Sequence, residues 1–406
     1  MSISLKRVVI GVGLALLSLP ISAALAATDT EQQVGASFHI TPADLPKPGA
    51  TPSASDVAVI VARGNHVPVL PNGFRASLID TLPAPRRIVI GPDGRIYIAL
   101  QQSGQVVTLT ESDGVITGEA TVLSGASEAY GIGFIAGGTL IVGAVDRLWS
   151  LPPNAGRATA ISALGAFGPP QGHITRSVAI DPRTADIYVG VGSMANLETG
   201  EPAMKATIQK ITAGSNTETT FATGMRNVTA MAFQPGTSDL YAVTMERDTM
   251  GDELVPDYFT RVQRGDDFGW PYQYIGGNAQ PEYAAEVKSL SPATVPDVLF
   301  AAHSAPLDLA FVPDSWPAHY RGGAIVALHG SWNAGTPRGY KLVFVPFANG
   351  RPTGSYENFM TGFWIGGAAP AQVWGRPAAL AFDKDGSLLV ADDAGGTLWR
   401  VTPPAQ

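Results

Sequence analysis

Pairs of short apolar stretches recur six times along this chain. Each copy consists of an apolar segment, a turn and a second apolar segment, which is the pattern of two short β-strands joined by a tight connection. The copies read RRIVIGPDGRIYIAL, YGIGFIAGGTLIVG, TRSVAIDPRTADIYVGVGS, NVTAMAFQPGTSDLYAVT, PLDLAFVPDSW with AIVALHGSW, and RPAALAFDKDGSLLVAD. Gly and Pro residues between these stretches indicate an all-β fold with many turns.

The last large apolar residue of the first strand aligns the six copies. These anchor residues are Ile90, Phe134, Ile180, Phe233, Phe311 and Phe382. They lie about 44 to 78 residues apart, and a period of roughly 40–50 residues with several short strands per unit is typical of a β-propeller. We therefore predict an all-β, six-bladed β-propeller, with insertions in the two longest intervals that form loops on one face.

Polar residues share one position in several of the copies. His173 and Arg226 lie seven residues before their anchors, and Glu128, Asn227 and Arg376 lie six residues before theirs. Equivalent positions in a propeller form a ring around the axis, so these side chains are expected to face one another at one channel mouth. One such residue alone would be read as a turn or cap residue. Several together, including a His and two Arg, predict an active site.

The N-terminus reads as a secretory signal. Basic residues Lys6 and Arg7 precede an apolar stretch, and small residues follow at positions 24–26. The stretch is too short to predict a membrane span, and no later apolar stretch is long enough either. We therefore expect a periplasmic or secreted protein. We divide the chain into a signal peptide (1–26), an extended arm (27–72) and the propeller (73–406). The two ends of the propeller are expected to pair, with Phe74–Ile79 as one strand and Leu398–Val401 as the other.

Charge and cysteine content narrow the function further. Without the signal, 24 basic and 34 acidic residues remain, a net charge of about −10, which argues against nucleic acid as a partner. The chain has no cysteine, which excludes a covalent c-type haem, zinc–thiolate sites and iron–sulfur clusters. Any redox chemistry must use an organic cofactor held without a covalent bond, or a metal with oxygen and nitrogen ligands.

Three further features carry candidate chemistry. His173 follows Gly172, which permits a close backbone approach, and His is the natural general base near neutral pH. A loop dense in carboxylates, from Glu246 to Asp257, offers oxygen ligands for a hard cation such as Ca²⁺, or is simply an acidic solvated loop. Arg338 and Lys341 are cations that either reach an anionic cofactor or lie exposed on a strand.

Several motifs, in this order, resemble the pyrroloquinoline quinone (PQQ)-dependent sugar dehydrogenases, in particular the L-sorbosone dehydrogenase-type branch of the soluble glucose dehydrogenase fold. They are GHITR, GMRNVTAMAFQP, MERDTMGDELVPDYFTRV, GWPYQY, HGSWN and WGRPAALAF. The resemblance implies a six-bladed propeller with PQQ across the channel mouth and Ca²⁺ beneath it. It also implies oxidation of an aldose or ketoaldose, with electrons passed to a separate quinone or cytochrome.

The resemblance also assigns roles to residues. It implies that His173 is the general base and that Arg226, Asn227 and Arg376 bind the cofactor. Further candidates for the cofactor are Arg338, Lys341 and Glu128, the last from its position on the ring. The calcium loop would contain Glu246, Arg247 and Asp248, binding through backbone oxygen, with Asp252 supporting the loop. The glucose-oxidising branch has Gly-Pro where this chain has Arg247-Asp248.

Two other functions remain open at this point. A calcium-dependent lactonase on a six-bladed propeller would also need a channel metal, carboxylates and a His, but not a ring of cations. A non-catalytic propeller that binds sugar or peptide would use the same polar ring as a docking surface. Fold alone does not separate these functions.

Overall fold

The computed structural model describes residues 31–153, 158–162, 166–215 and 217–405, so the predicted signal peptide lies outside the described residues. The predicted all-β class is confirmed. Helical structure in the described part is confined to residues 31–32 and to four short 3₁₀ turns at Pro42–Asp44, Gln101–Ser103, Pro281–Tyr283 and Glu286–Ser289. None of these turns has the length and apolar character that a membrane crossing requires.

The first strands of the chain pair with strands that come much later. They are β1 (Ser37–His39), β2 (Val59–Ile60) and β3 (Arg75–Thr81).

Three antiparallel four-stranded sheets follow in direct succession. Sheet I contains β4 (Pro85–Ile90), β5 (Ile96–Leu100), β6 (Gln105–Ser112) and β7 (Val115–Leu123). Sheet II contains β8 (Ile132–Ile135), β9 (Thr139–Gly143), β10 (Leu148–Leu151) and β11 (Thr159–Ala160). Sheet III contains β12 (Arg176–Ile180), β13 (Ile187–Val191), β14 (Thr207–Thr212) and β15 (Thr217–Ala222).

The next two sheets contain the long intervals. Sheet IV consists of β16 (Val228–Phe233), β17 (Leu240–Thr244), β18 (Tyr258–Val262) and, beyond the hairpin β19 (Gln273–Tyr274) and β20 (Asn278–Ala279), β21 (Val298–Leu299). Sheet V consists of β22 (Pro306–Phe311), β23 (Ala324–Leu328), β24 (Lys341–Val345) and, beyond the hairpin β25 (Phe347–Ala348) and β26 (Arg351–Pro352), β27 (Ser355–Met360). Strand β1 extends sheet V by pairing antiparallel with β27.

The last sheet joins the beginning and the end of the segment from residue 73 onward. Strands β28 (Trp364–Gly366) and β29 (Gln372–Val373) pair with each other, and β29 also pairs with β2. After them, sheet VI contains β30 (Pro377–Phe382), β31 (Leu388–Asp392) and β32 (Thr397–Thr402). Strand β3 pairs antiparallel with β32, with Arg75 opposite Thr402 and Thr81 opposite Thr397. This confirms the predicted pairing of the two ends.

The core is divided into separate layers between successive sheets. Each of six buried apolar clusters in the described residues lies mainly between one sheet and the next, and one of them joins sheet VI to sheet I. Between sheets I and II, for example, Tyr97 and Val106 pack with Ile132 and Leu140. Burial of each large apolar side chain contributes roughly 1.5–3 kcal/mol, so the contacts between sheets stabilise their arrangement.

The first strands of the six sheets contact one another in cyclic order, β4, β8, β12, β16, β22, β30 and back to β4. Hydrogen bonds link several neighbours directly: the Ser177 hydroxyl donates to the Val228 carbonyl (2.8 Å) and the Thr229 hydroxyl to the Pro306 carbonyl (2.6 Å). The polar groups of these strands are therefore satisfied across sheet boundaries, which buried groups require.

The anchor residues end, or nearly end, these first strands, as their alignment predicted. Each packs against a different one of the six clusters, but all six are only partly buried. The anchors therefore contribute to the contacts between sheets without being fully buried. Phe134, Ile180 and Phe233 line a cavity of about 300 Å³ bounded by the first strands, and side chains at a cavity wall keep some exposure.

A buried ion pair lies among the first strands. Arg87 of β4 pairs with Asp308 of β22, and both side chains line the same 300 Å³ cavity. Asp308 also accepts hydrogen bonds from the backbone amides of Leu309 (2.7 Å) and Leu380 (2.9 Å). The carboxylate therefore ties sheets I, V and VI together.

We expect Asp308→Asn to lower the free energy of unfolding by about 3–5 kcal/mol, because the Arg87 charge would remain buried without its partner. Urea denaturation measures this loss. The matched control is Asp93→Asn, which breaks the exposed pair with Arg95 and should cost about 1 kcal/mol or less. Equal losses in the two variants would contradict this role for the pair.

Candidate active site

A second cavity, of about 490 Å³, opens where the first strands begin. Its wall is formed by residues of five of the six sheets or of the segments that flank their strands, and most of them are polar: Arg86, Gln101, Gln102, Glu128, Gly172, His173, Ile174, Thr175, Asn227 and Asp393. The predicted residues His173, Asn227 and Glu128 thus share one cavity. Their common position before the anchors places them at the same end of neighbouring strands.

His173 is held in one orientation from the side away from this cavity. Its Nδ1 lies 2.9 Å from the carbonyl oxygen of Ser193 and 3.0 Å from the Ser193 hydroxyl. A carbonyl oxygen only accepts, so the neutral imidazole donates from Nδ1 and leaves Nε2 as an acceptor. Gly172 precedes it with φ +75°, and a side chain there would collide with the backbone of Met194. Glycine is therefore required at position 172, directly before His173.

The electrostatic surroundings keep His173 neutral. Burial, followed by the positive charge of Arg226, lowers the pKa of His173 to about 3. Arg176 fixes the backbone on which the imidazole stands, because its Nη1 donates to the carbonyls of His173 (2.9 Å) and Thr175 (2.8 Å). A neutral imidazole with a free acceptor nitrogen can take a proton from a substrate hydroxyl.

Arg226 lies inside a cage of oxygen atoms beside the cavity. Its guanidinium donates to the carbonyls of Asn196 (3.2 Å), Met245 (3.4 Å) and Glu246 (2.6 Å), to the Asn196 side-chain oxygen (3.0 Å) and to the Asp248 carboxylate (3.1 Å). The residue is only 4% exposed. Five oxygens offset the cost of burying this charge. Asn227, the next residue in the chain, lines the cavity.

The opposite wall carries a second network of charges. Asp393 accepts from Arg86 (2.6 Å) and contacts Nε2 of His329 (2.7 Å). Burial opposes ionisation of Asp393, but His329 and the nearby guanidinium groups outweigh it and hold the pKa of Asp393 below its usual range. Burial, and then Arg376, lowers the pKa of His329 to about 4. Arg86 also donates to Gln101 (3.1 Å).

Arg376 lies next to this network but is not in the cavity wall. Its side chain donates to the carbonyls of His329 (3.1 Å) and Gly330, and it stacks over the ring of Tyr340. The amide of Asp393 donates to the Arg376 carbonyl (3.3 Å). In the described residues, one amino nitrogen of Arg376 and one of Arg86 have no protein hydrogen-bond partner, and of these two residues Arg86 lines the cavity.

The structure places two other predicted cations away from the cavity wall. Arg338 forms a two-point ion pair with Glu253, at 3.1 and 2.5 Å. Lys341 is 1% exposed and binds Glu31 of the N-terminal arm at 2.7 Å. Because these contacts already satisfy both cations, we leave Arg338 and Lys341 out of the proposed cofactor site.

The predicted calcium loop forms no free set of cation ligands in the arrangement described. Arg226 binds the carbonyl of Glu246 and the carboxylate of Asp248, and the backbone amides of Gly335 and Thr336 bind the Asp252 carboxylate at 2.8 and 3.0 Å.

The side chains of Glu246 and Arg247 do not change this result. Burial raises the pKa of Glu246 to about 8, with Arg226 opposing the rise and Asp257 adding to it. Arg247 points away to Glu282, at 2.9 and 3.1 Å. The loop therefore does not fit a calcium ion as it stands: the guanidinium of Arg226 is the cation that its oxygens surround.

Several residues of the site were missed by the sequence analysis. Arg86 lies within a strand and Asp393 follows one, so neither has the shared position that identified His173. Asn196, which supplies two oxygens to Arg226, lies in a connection whose composition gave no signal. Only the arrangement of distant segments brings these groups to the site.

Comparisons with known proteins agree with this fold. A family model described as TrAA12-like matches residues 261–404. An uncharacterized protein of Borreliella burgdorferi is 27% identical over 354 residues, covering 82% of this chain and 90% of that protein.

Two solved structures share most of the architecture. The Carbohydrate-Active Enzymes Family AA12 protein of Trichoderma reesei superposes with a TM-score of 0.70 at 20% identity, covering 85% of this chain and 100% of that chain. The PQQ domain of pyranose dehydrogenase from Coprinopsis cinerea, in its holo form, gives 0.68 at 19% identity, covering 85% and 100%. The chain thus has the fold of a PQQ sugar dehydrogenase domain, while the sorbosone dehydrogenase branch stays a prediction.

The depressed pKa of His173 predicts a pH dependence of stability. The unfolded state takes up a proton near pH 6.5 and the folded state only near pH 3. Lowering the pH through this interval therefore favours unfolding. We expect His173→Gln to lose stability less steeply than the wild type between pH 6.5 and pH 4, as measured by urea denaturation at each pH. Identical slopes would show that His173 is not held neutral.

The oxygen cage predicts a calcium response that depends on Arg226. In Arg226→Gln the cage loses its cation, and Ca²⁺ should bind there and raise the melting temperature. The stabilisation would be about 2.7 kcal/mol at one hundred times the dissociation constant. The wild-type melting temperature should not change with Ca²⁺ or with EDTA. A calcium-dependent increase in the wild type would show that a metal site exists beside Arg226.

Proposed function

We propose that this chain is a PQQ-dependent dehydrogenase that oxidises an aldose or ketoaldose, on a six-bladed propeller built from sheets I–VI. The observation that carries the proposal is the composition of the 490 Å³ cavity. One wall presents the free Nε2 of a neutral His173, and the guanidinium groups of Arg86, Arg226 and Arg376 lie in or beside the walls. The shared fold supports this proposal but does not by itself assign an activity.

The residues present fit an anionic organic cofactor. The cavity volume lies within the roughly 300–1,000 Å³ range of small-ligand pockets. PQQ carries carboxylates, and guanidinium groups bind carboxylates through charge-assisted, often bidentate hydrogen bonds. The free nitrogens of Arg86 and Arg376 would hold the carboxylates, with Asn227 and Thr175 as neutral polar contacts. When bound, this cofactor would supply the quinone that accepts a hydride.

His173 would act on the substrate. Its Nε2 would accept the proton of the sugar hydroxyl while the carbon that carries this hydroxyl loses a hydride. The hydroxyl thereby becomes a carbonyl. The Ser193 carbonyl keeps the accepting nitrogen directed toward the cavity. A negatively charged cofactor next to His173 would raise its pKa and strengthen it as a base. Gln101, Gln102 and Glu128 would bind other hydroxyl groups of the sugar.

Calcium has no step in this proposal, because the predicted ligands are already engaged. Electrons would leave to a separate quinone or cytochrome, since a chain without cysteine holds no covalent c-type haem. Periplasmic or secreted localisation remains part of the proposal, based on the sequence of residues 1–26. So does the division into an arm (27–72) and a propeller (73–406).

The two alternative functions have less support. A metal-dependent lactonase needs carboxylates around a metal, and the described residues contain no group of three or more His, Asp or Glu side chains suited to hold one. A non-catalytic docking surface does not need an oriented, neutral imidazole such as His173. Dehydrogenation uses both the cations and the imidazole.

Two measurements test the proposal. One is a titration with PQQ monitored by tryptophan fluorescence, and the other is dye-linked oxidation of a panel of sugars. We expect His173→Ala to bind PQQ with nearly unchanged affinity but to lower turnover by roughly 10²–10⁴, the usual range for a lost general base. Wild-type turnover in this variant would show that His173 is not the base. Failure of the wild type to bind PQQ would contradict the whole proposal.

Arg86→Met tests the cationic wall. It should weaken PQQ binding by roughly 10- to 100-fold, because a hydrogen bond to a charged group contributes about 1.5–3 kcal/mol. The control is Arg95→Met, which removes an exposed guanidinium of the β4–β5 turn and should leave PQQ affinity unchanged. Equal affinity in both variants would exclude Arg86 from the cofactor site.

A further inference from the structure

The N-terminal arm runs over the loop that contains Glu246 to Glu253. We call residues 47–53 the strap, and residues 246–253 the cage loop. The arm is attached independently on both sides of the strap, where β1 pairs with β27 and β2 pairs with β29. The strap is therefore held across the cage loop by two sheet contacts.

Hydrogen bonds join the strap to the cage loop at three successive positions. The amide of Gly49 donates to the Met250 carbonyl (3.0 Å), the amide of Gly251 to the Ser53 hydroxyl (3.2 Å) and the amide of Asp252 to the Thr51 hydroxyl (2.7 Å). Thr51 and Asp252 are 201 residues apart in sequence. The strap thus provides the partners that the cage loop backbone needs at this point.

The contact at Gly251 is too close for any side chain. Gly251 has φ +105°, and a Cβ there would lie 2.4 Å from the carbonyl oxygen of Thr51 and 2.7 Å from its hydroxyl. On its other side the Gly251 carbonyl contacts Nε2 of His303 at 2.9 Å. Gly251 is therefore enclosed between the strap and the connection that leads into sheet V.

From the strap, contacts continue to Arg226. Asp252, whose amide binds Thr51, accepts from the amides of Gly335 and Thr336. Gly335 and Thr336 lie in the connection between β23 and β24, which also contains Asn333. The side chain of Asn333 donates to Asp248 (2.6 Å), and Asp248 binds Arg226 (3.1 Å). Four consecutive contacts thus connect the strap hydroxyl to the guanidinium beside the candidate active site.

We propose that the strap is a positioning element for the cofactor site, with Thr51 and Ser53 as positioning residues. Their hydroxyls fix the cage loop, the cage loop fixes the oxygens around Arg226, and Arg226 sets the charge next to His173. This proposal rests on the proposed function, since the ligand whose affinity it affects is PQQ. A surface arm with no such role would influence global stability alone.

The test compares Thr51→Val, Ser53→Ala and the double variant with the wild type. Valine keeps the shape of threonine but offers no acceptor to the Asp252 amide. Loss of one hydrogen bond should weaken PQQ binding about three- to tenfold, with a larger effect in the double variant. Thr51→Ser, which keeps the hydroxyl, should restore wild-type affinity. The control is Thr41→Val in the same arm, whose hydroxyl donates to Asp44 (2.7 Å) and contacts no residue of the cage loop in the described part of the chain.

Hydrogen exchange without PQQ gives a second, independent readout. The amides of Gly251 and Asp252 should exchange faster in the double variant, while those of β1 and β2 keep their wild-type rates. Unchanged PQQ affinity in the double variant would overturn the proposal even if the melting temperature fell. If the wild type did not bind PQQ, the proposed function would fail. The exchange rates alone would then test whether the strap positions the cage loop. Unchanged rates in the double variant would overturn that role.

Discussion

The burial of the Arg226 guanidinium is the constraint on which the candidate site depends. A charge taken out of water must be matched by nearby polar groups, or the fold loses several kcal/mol. Oxygens from two segments, around Asn196 and from Met245 to Asp248, meet this requirement. Both segments must hold their positions for Arg226 to stay buried, which explains why so many contacts stabilise a loop without regular structure.

The same charge sets the chemistry of the cavity. Together with burial, it holds His173 neutral, and the carbonyl of Ser193 directs the free nitrogen outward. On the other wall, Asp393 stays ionised because Arg86 and His329 surround it. The cavity thus combines a neutral acceptor with cations that are only partly neutralised, an arrangement suited to an anionic cofactor and a hydroxyl substrate.

Much of the fold and part of the site were predictable from local patterns. Apolar strands separated by turns recur with a common register, so the ends of the first strands and the pairing of β3 with β32 follow from it. The register also placed His173, Asn227 and Glu128 in one cavity. It does not extend to Lys341, a candidate cofactor contact that is bound by Glu31, because the register contains no information about an arm that packs from outside.

The sequence by itself determined the strands, the turns, the repeat and the set of polar residues at one end of the first strands. These depend on neighbouring residues and on backbone periodicity. Only the tertiary structure decided which oxygens surround Arg226, which carboxylate faces Arg86, and that the predicted calcium loop is occupied by a guanidinium. Charge pairing and desolvation depend on which distant segments meet in space, and these distances are not encoded in any local pattern.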